Sequence, residues 1–469
     1  MKLLYFTCIA FLLNLPFKLT AQTYEANWAS LDKRPIPTWF TDAKFGIFVH
    51  WGVYSVPAWA PANEDIGVYA KYAEWYWMRI NGGTDPNAQK ADVGKMFMDH
   101  HNKMYGKDFK YQDFAPKFKA EYFNPNEWAD IFKDAGAKYV ILTSKHHEGF
   151  TLWPSKESWN WNSVDVGPHR DLCGDLTTAV KEKGLHMGMY YSLYEWFNPL
   201  YKSDSAKYVA DHMIPQLKDL VTRYKPEIIY PDGEWDHPSK VWQSEKFLSW
   251  LYNESAVKNT VVVNDRWGKE TRSKHGGYYS SEYGIVEGGA KVSDMVAHPW
   301  EEIRGIGTSF GYNHVEDLNN YMTPQDLIHL LINIVAHGGN LCLNVGPTAD
   351  GRIPVIMQQR LHEMGQWLKV NGEAIYGTTV WQNRPESKDS ATTFYTKKGK
   401  DLYVICTKWD NKKLVVPGIS KRSKVTLVGA DITVKSTVSG GNLTINPPAI
   451  TPANNPSSYA WVYKVEGID

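Results

Sequence analysis

From Lys44 to Gly346 the chain repeats one pattern: a short apolar run that ends in polar or charged residues. The runs are Lys44–His50 (KFGIFVH), Lys138–Ser144 (KYVILTS), His186–Ser192 (HMGMYYS), Glu227–Asp232 (EIIYPD), Thr260–Asp265 (TVVVND), Gly277–Ser281 (GYYSS), Gly305–Tyr312 (GIGTSFGY) and Asn340–Val345 (NLCLNV). Continuous apolar runs suit strands covered on both faces, as in a parallel sheet. Helical periods lie between several of them. Asn126 opens NEWADIFKDAGA, with Trp128, Ile131 and Phe132 on one face and Gly136 as a stop. Asp171–Lys183 is periodic up to Gly184. Thr323-Pro324 is an N-cap followed by proline at the first helical position, and Gly338-Gly339 ends that helix. Strands alternating with helices over about 300 residues predict a (β/α)8-like barrel. The polar stretch Asn81–Ala120 is expected to be a long irregular loop over one face.

After Tyr376 the period shortens. Thr393–Tyr395, Leu402–Thr407, Lys413–Val416, Lys424–Val428, Ile432–Ser436, Leu443–Ile445 and Tyr459–Val465 alternate between turns such as Asp410-Asn411, Gly440-Gly441 and Pro447-Pro448. These predict an all-β sandwich. The expected organisation is residues 22–376 as the barrel and 377–469 as the sandwich, preceded by a leader of residues 1–21. Met1-Lys2 is followed by the apolar stretch Leu3–Leu15, and Ala21 offers a small residue for cleavage. About 13 apolar residues are too few to span a bilayer, and no later run is longer, so an exported mature chain without a membrane span is expected. Periplasm, medium and a lysosome-like lumen all fit such a leader.

Composition narrows the chemistry. The 51 basic and 51 acidic residues cancel, so no long-range field draws the chain to nucleic acid. Cys173, Cys342 and Cys406 remain after the leader, too few and too scattered for a disulfide framework. The 20 Trp, 28 Tyr and 17 Phe residues favour carbohydrate handling, since aromatic faces cover the apolar C–H faces of sugars, although large cores also consume aromatics. No phosphate-binding glycine loop, dinucleotide fingerprint or nucleophile elbow stands in the required context, so no cofactor is expected.

In a barrel, chemistry gathers where strands end. Those ends carry His50, His146, His147, Tyr190, Asp232, Arg266, Glu282 and Asn344. Asp232, between a buried run and Gly233, is the sharpest candidate, although Asp-Gly is also an ordinary turn. Glycoside hydrolysis needs a second carboxylate. Glu282 and Glu301 both follow barrel-like segments, with Glu302 the weaker neighbour. His146 and His147 are adjacent, and on a strand they would face opposite ways, which suits hydrogen bonding to hydroxyls better than one metal ion. Trp51, Trp59, Trp75 and Trp77 fit either a sugar pocket or a core.

At these residues the chain resembles α-L-fucosidases of glycoside hydrolase family 29. The segments that carry the likeness include WFTDAKFGIFVHWGVYSVPAW, YAEWYWMR, TSKHHEGFTLWPS, YPDGEW, VVVNDRWG, HGGYYSSEYG and GGNLCLNVGPTADG. The resemblance implies retaining exo-hydrolysis of terminal α-L-fucose from fucosylated glycans, without a metal. It implies Asp232 as nucleophile and His50, Glu74, Trp75, His146, His147, Tyr190 and Arg266 as fucose-binding residues. It leaves the acid/base between Glu282 and Glu301, with Glu282 favoured because it ends a predicted strand. A metal-dependent barrel hydrolase and a non-catalytic carbohydrate-binding protein are the alternatives. Linkage preference and oligomeric state are not legible.

Overall fold

The computed structural model describes residues 23–62, 66–82, 93–284, 298–383 and 392–468. The leader expected at residues 1–21 lies outside them. Eight parallel strands form one sheet: β1 (Phe45–Val49), β2 (Tyr139–Lys145), β3 (His186–Ser192), β4 (Ile228–Asp232), β5 (Val262–Val263), β6 (Tyr279–Glu282), β7 (Trp300–Gly305) and β8 (Asn340–Val345). Their order is β5-β4-β3-β2-β1-β8-β7-β6. The two end strands meet through a parallel bridge between Asn264 and Tyr278, where the Tyr278 N–H donates to the Val263 carbonyl at 3.0 Å. The ring is therefore barrel-like, with its weakest seam between β5 and β6.

Successive residues of a strand face opposite sides, and the side chains sort accordingly. Ile47, Val49, Val140, Leu142, Met187, Met189, Ile229, Leu341 and Leu343 pack outward against the helices. Phe48, Tyr139, Ile141, Tyr190, Ile228, Tyr230, Tyr278, Ile303 and Cys342 fill the interior. The crowding inside is tight enough that a Cβ on Gly46 would lie 2.1 Å from the Tyr139 ring. Around the sheet run helices whose starts are capped as their sequences require. Asn124 caps Pro125–Asp134, Asp171 caps Leu172–Glu182, and Thr323 closes a capping box with Asp326 ahead of Pro324–Ala336.

The C-terminal part holds a five-stranded antiparallel sheet, ordered β13-β16-β11-β10-β9, and a three-stranded one, ordered β12-β15-β14. The strands are β9 (Thr379–Val380), β10 (Thr393–Lys398), β11 (Asp401–Cys406), β12 (Leu414–Pro417), β13 (Val425–Leu427), β14 (Lys435–Ser439), β15 (Asn442–Asn446) and β16 (Trp461–Val465). Along β11, Leu402, Val404 and Cys406 turn to the sandwich core, while Tyr403 and Ile405 turn to the barrel side. The Trp367 Nε1–H donates to the Ala460 carbonyl at 3.0 Å, joining helix Val355–Asn371 to this sheet.

Two expectations need correction. The seventh strand is Trp300–Gly305, not Gly305–Tyr312. Its apolar period is broken by Glu301, Glu302 and Arg304, whereas the glycine-punctuated segment after it only imitates a strand. The stretch from Asn81 to Ala120 is not irregular throughout: Val93–Met104 is a helix and Tyr111–Lys117 a 3-10 segment.

Candidate active site

The inward-facing residues at the C-terminal ends of the strands enclose a cavity of about 500 Å3. β4 delivers Asp232 by its two-residue period, in line with the interior residues Ile228 and Tyr230. At the next position Gly233 adopts φ 75°, and a side chain there would meet the Tyr194 ring 2.3 Å away. Glycine thus lets the chain turn sharply behind the carboxylate.

Arg266 organises the floor. Its Nη1 donates to Asp232 Oδ1 at 2.7 Å, its Nη2 donates to Glu282 Oε1, and its Nε donates to Ser280 Oγ at 3.0 Å. Ser280 in turn donates to Asp265 Oδ1 at 2.7 Å, so a buried carboxylate fixes the plane of the guanidinium. The Tyr190 hydroxyl donates to Asp232 Oδ2 at 2.8 Å. Burial alone would raise the Asp232 carboxyl. The Arg266 guanidinium, joined by His147 and Arg272, outweighs burial and holds that carboxyl well below the usual carboxylate range.

The histidines present acceptors. Asn344 Nδ2 donates to the Phe310 carbonyl at 2.7 Å, which leaves Asn344 Oδ1 to accept from His50 Nδ1 at 2.6 Å. Ser192 Oγ donates to the Tyr194 carbonyl at 2.7 Å and must therefore accept from His147 Nδ1, also at 2.7 Å. With Nδ1 carrying the proton in both rings, the two Nε2 atoms are lone-pair acceptors. Burial, then His146, pushes His50 down to about 3. The same two causes lower His147 well below the ordinary histidine value, so both rings are neutral at physiological pH. Glu74 accepts from the Gly311 N–H at 2.8 Å and from Ser309 Oγ at 3.3 Å. Burial raises its carboxyl to about 7, against opposing contributions from His146 and these donors.

The cavity lining includes His50, Glu74, Trp75, His146, His147, Tyr190, Asp232, Arg266 and Glu282. Glu301 is not among them. The register pairs Glu282 with Ile303 and Ser280 with Glu301, so Glu301 sits one inward layer deeper, by about 7 Å of strand rise. There it is fully buried and accepts from the Tyr139 hydroxyl at 2.5 Å. Glu302 faces the other way, paired with Arg304 and Ser281.

His146 and His147 do not point to opposite sides. β2 ends at Lys145 after a register shift, and both rings enter the cavity with centroids 4.1 Å apart. Of the four tryptophans considered, Trp75 lines the cavity. Trp51 is core, Trp59 stacks on His100 and Trp77 stacks on Tyr111. Among the described residues, no group of three or more histidine, cysteine or acidic side chains is arranged to hold a metal ion.

Sequence reasoning missed Tyr72, Tyr230, Trp235, Asp236 and Phe310 in the lining. Tyr230 was available from the inward period of β4, and Trp235 and Asp236 from their place just after Asp232. Phe310 lies on a loop and carried no periodic signal. Neutral nitrogen acceptors, one guanidinium across two carboxylates and aromatic walls together suit a small polyhydroxylated ring with one apolar face.

Comparison with known proteins agrees with that chemistry. The family model "Alpha-L-fucosidase" matches residues 12–373, and "Alpha-L-fucosidase C-terminal domain" matches residues 387–466. The human tissue alpha-L-fucosidase is 43% identical over 456 residues, covering 95% of this chain and 92% of its own. An alpha-L-fucosidase of Branchiostoma floridae is 43% identical over 461 residues, covering 95% and 96%. Among solved structures, a Thermotoga maritima alpha-fucosidase in complex with fucose aligns with a TM-score of 0.78 at 35% identity, covering 94% of this chain and 100% of that one.

Proposed function

This chain belongs to the alpha-L-fucosidase family of glycoside hydrolases, and from that premise we propose that it is an exo-acting, retaining α-L-fucosidase that releases terminal fucose through a covalent fucosyl-enzyme. One observation carries the mechanism: a single guanidinium spans Asp232 and Glu282 at the floor of a closed-ended cavity. A guanidinium that bridges both holds the two carboxylates close to one another, in keeping with the spacing of about 5–5.5 Å used by retaining enzymes.

In the first step an Asp232 oxygen bonds to C1 of fucose, the C1–O glycosidic bond breaks, and the departing oxygen takes a proton from Glu282. In the second step water gives a proton to Glu282, its oxygen bonds to C1, and the C1–O bond to Asp232 breaks. Arg266 serves both steps: a carboxylate held ionised is ready to attack, and its low basicity makes it a good leaving group. Substrate hydroxyls must draw Arg266 partly off Glu282 before Glu282 can carry the proton. The Nε2 acceptors of His50 and His147, with Glu74, His146 and Tyr190, hold the hydroxyls, and Trp75 covers the apolar part of the ring. Glu282 is favoured over Glu301 because it lines the cavity while Glu301 is sealed beneath it.

Residues 22–376 are read as the catalytic unit and 377–469 as an accessory sandwich, in keeping with where the two family models match. Export through residues 1–21 predicts a mature chain that begins at Gln22, which N-terminal sequencing of the secreted protein checks. The function itself is tested with an aryl α-L-fucoside. Hydrolysis with α-fucose as the first-formed anomer by proton NMR is expected. No turnover, or β-fucose first, would overturn the proposal.

A further inference from the structure

The turn that follows Asp232 is clamped on both sides of one aromatic residue. Glu234 is buried, bonds Arg272 Nε at 2.6 Å, and accepts the Trp242 Nε1–H on its carbonyl at 3.0 Å. Asp236 accepts from the Tyr201 hydroxyl at 2.5 Å. Trp235, between them on the 3-10 segment Glu234–Asp236, is only half-buried and lines the cavity. Its indole meets His147 at 5.6 Å and 71°, and Tyr194 at 5.6 Å and 72°. Both contacts are edge-to-face, and among the described residues no aromatic ring lies parallel on it.

Exposure grades outward from this point. His50, Glu74, His147 and Arg266 are all at or below 4% exposed, so the hydrogen-bonding groups form the closed end. Trp235 and exposed Asp236 stand at the mouth. A cavity of about 500 Å3 lies within the range of about 300–1,000 Å3 that holds a ligand of more than one ring. A terminal sugar bound at the closed end leaves its neighbour at the mouth, where a rigid, half-buried indole that lines the cavity can cover the C–H face of a pyranose.

We propose that Trp235 is the platform for the sugar residue from which fucose is cleaved, with Asp236 accepting one of its hydroxyls. Trp235 thereby sets preference among leaving groups. The assignment rests on the fucosidase reading above. It is tested by comparing Trp235→Ala and Trp235→Phe with the parent on two substrates: a fucosylated disaccharide, and α-L-fucosyl fluoride, whose leaving group has no ring. For Trp235→Ala, kcat/KM on the disaccharide should fall by about tenfold or more, through KM, with at most about a threefold change on the fluoride. Trp235→Phe should recover most of the loss. Equal losses on both substrates would mean that Trp235 acts only by supporting His147, and no loss on either would remove it from binding; each result overturns the platform while leaving the fucosidase reading intact. A parent inactive on both substrates would overturn the two together.

Discussion

Glu301 offers a test of how the barrel interior is built. It faces inward from β7 with no measurable exposure, and among the described residues no hydrogen bond reaches its Oε1. Burial raises its carboxyl from 4.5 to about 7, against smaller contributions from Tyr139, Tyr278 and Arg266. At about 1.4 kcal/mol per pH unit, that difference corresponds to about 3 kcal/mol. The sign follows from who holds the proton. Below pH 4.5 the folded and unfolded chains both hold it. Between 4.5 and about 7 only the folded chain does, so the contribution of this residue to stability falls as pH rises. Above about 7 the loss is complete. Glu301→Gln keeps the shape, keeps an acceptor for Tyr139 and removes the titration. A cooperative unit of about 350 residues has an unfolding entropy of about 0.7 kcal/mol/K, so 3 kcal/mol corresponds to about 4 °C. Thermal denaturation of parent and variant from pH 4.5 to 8 should show Tm values that nearly coincide in acid, with the variant gaining about 4 °C by pH 7.5. Glu74 titrates near the same pH, but it is present in both proteins and cancels in the difference. A pH-independent difference, or a parent that gains on the variant as pH rises, would refute the reasoning.

Other expectations follow from the same geometry. Glu282→Ala should slow fucosides with poor leaving groups by at least about a hundredfold more than those with good ones, measured as kcat/KM across an aryl series; equal losses would remove Glu282 from proton transfer. Arg266→Lys cannot bridge two carboxylates, so kcat/KM should fall by about a hundredfold or more while the thermal transition persists. Lys145 is fully buried, 2.9 Å from Glu195, which His212 also contacts at 2.9 Å. Lys145→Met should cost about 3–5 kcal/mol by leaving Glu195 under-compensated. Adding Glu195→Leu should recover much of that loss in urea denaturation.

What the sequence made legible depended on whether a strand looked like one. β3 and β8 are read to the residue because each is a compact, mainly apolar run opened by a polar residue, with Asn344 alone interrupting β8. β7 is obscured because its inward position carries Glu301 and its other face carries Glu302 and Arg304; a buried carboxylate kept neutral by its surroundings looks like surface in one dimension. With β7 displaced by about one strand length, Glu301 stayed in view as the second candidate behind the favoured Glu282. The period of β4 carried Asp232, Tyr230 and Ile228 inward together, so the cavity floor was accessible from pattern alone. The convergence of His146 and His147 was not, because it depends on β2 ending at Lys145. Nor was the role of Asn344 and Ser192 in fixing the two imidazole tautomers, which exists only once β1, β2, β3 and β8 lie side by side.

Mass mapping after a covalent trap examines the account at its centre. Incubation with a 2-deoxy-2-fluoro-α-L-fucosyl fluoride, whose fluorine slows breakdown of a glycosyl-enzyme, should yield one adduct, carried by the peptide that contains Asp232 and absent from Asp232→Ala. A parent that turns over fucosides yet carries the adduct on another residue would contradict the assignment of Asp232 as the atom donor to C1.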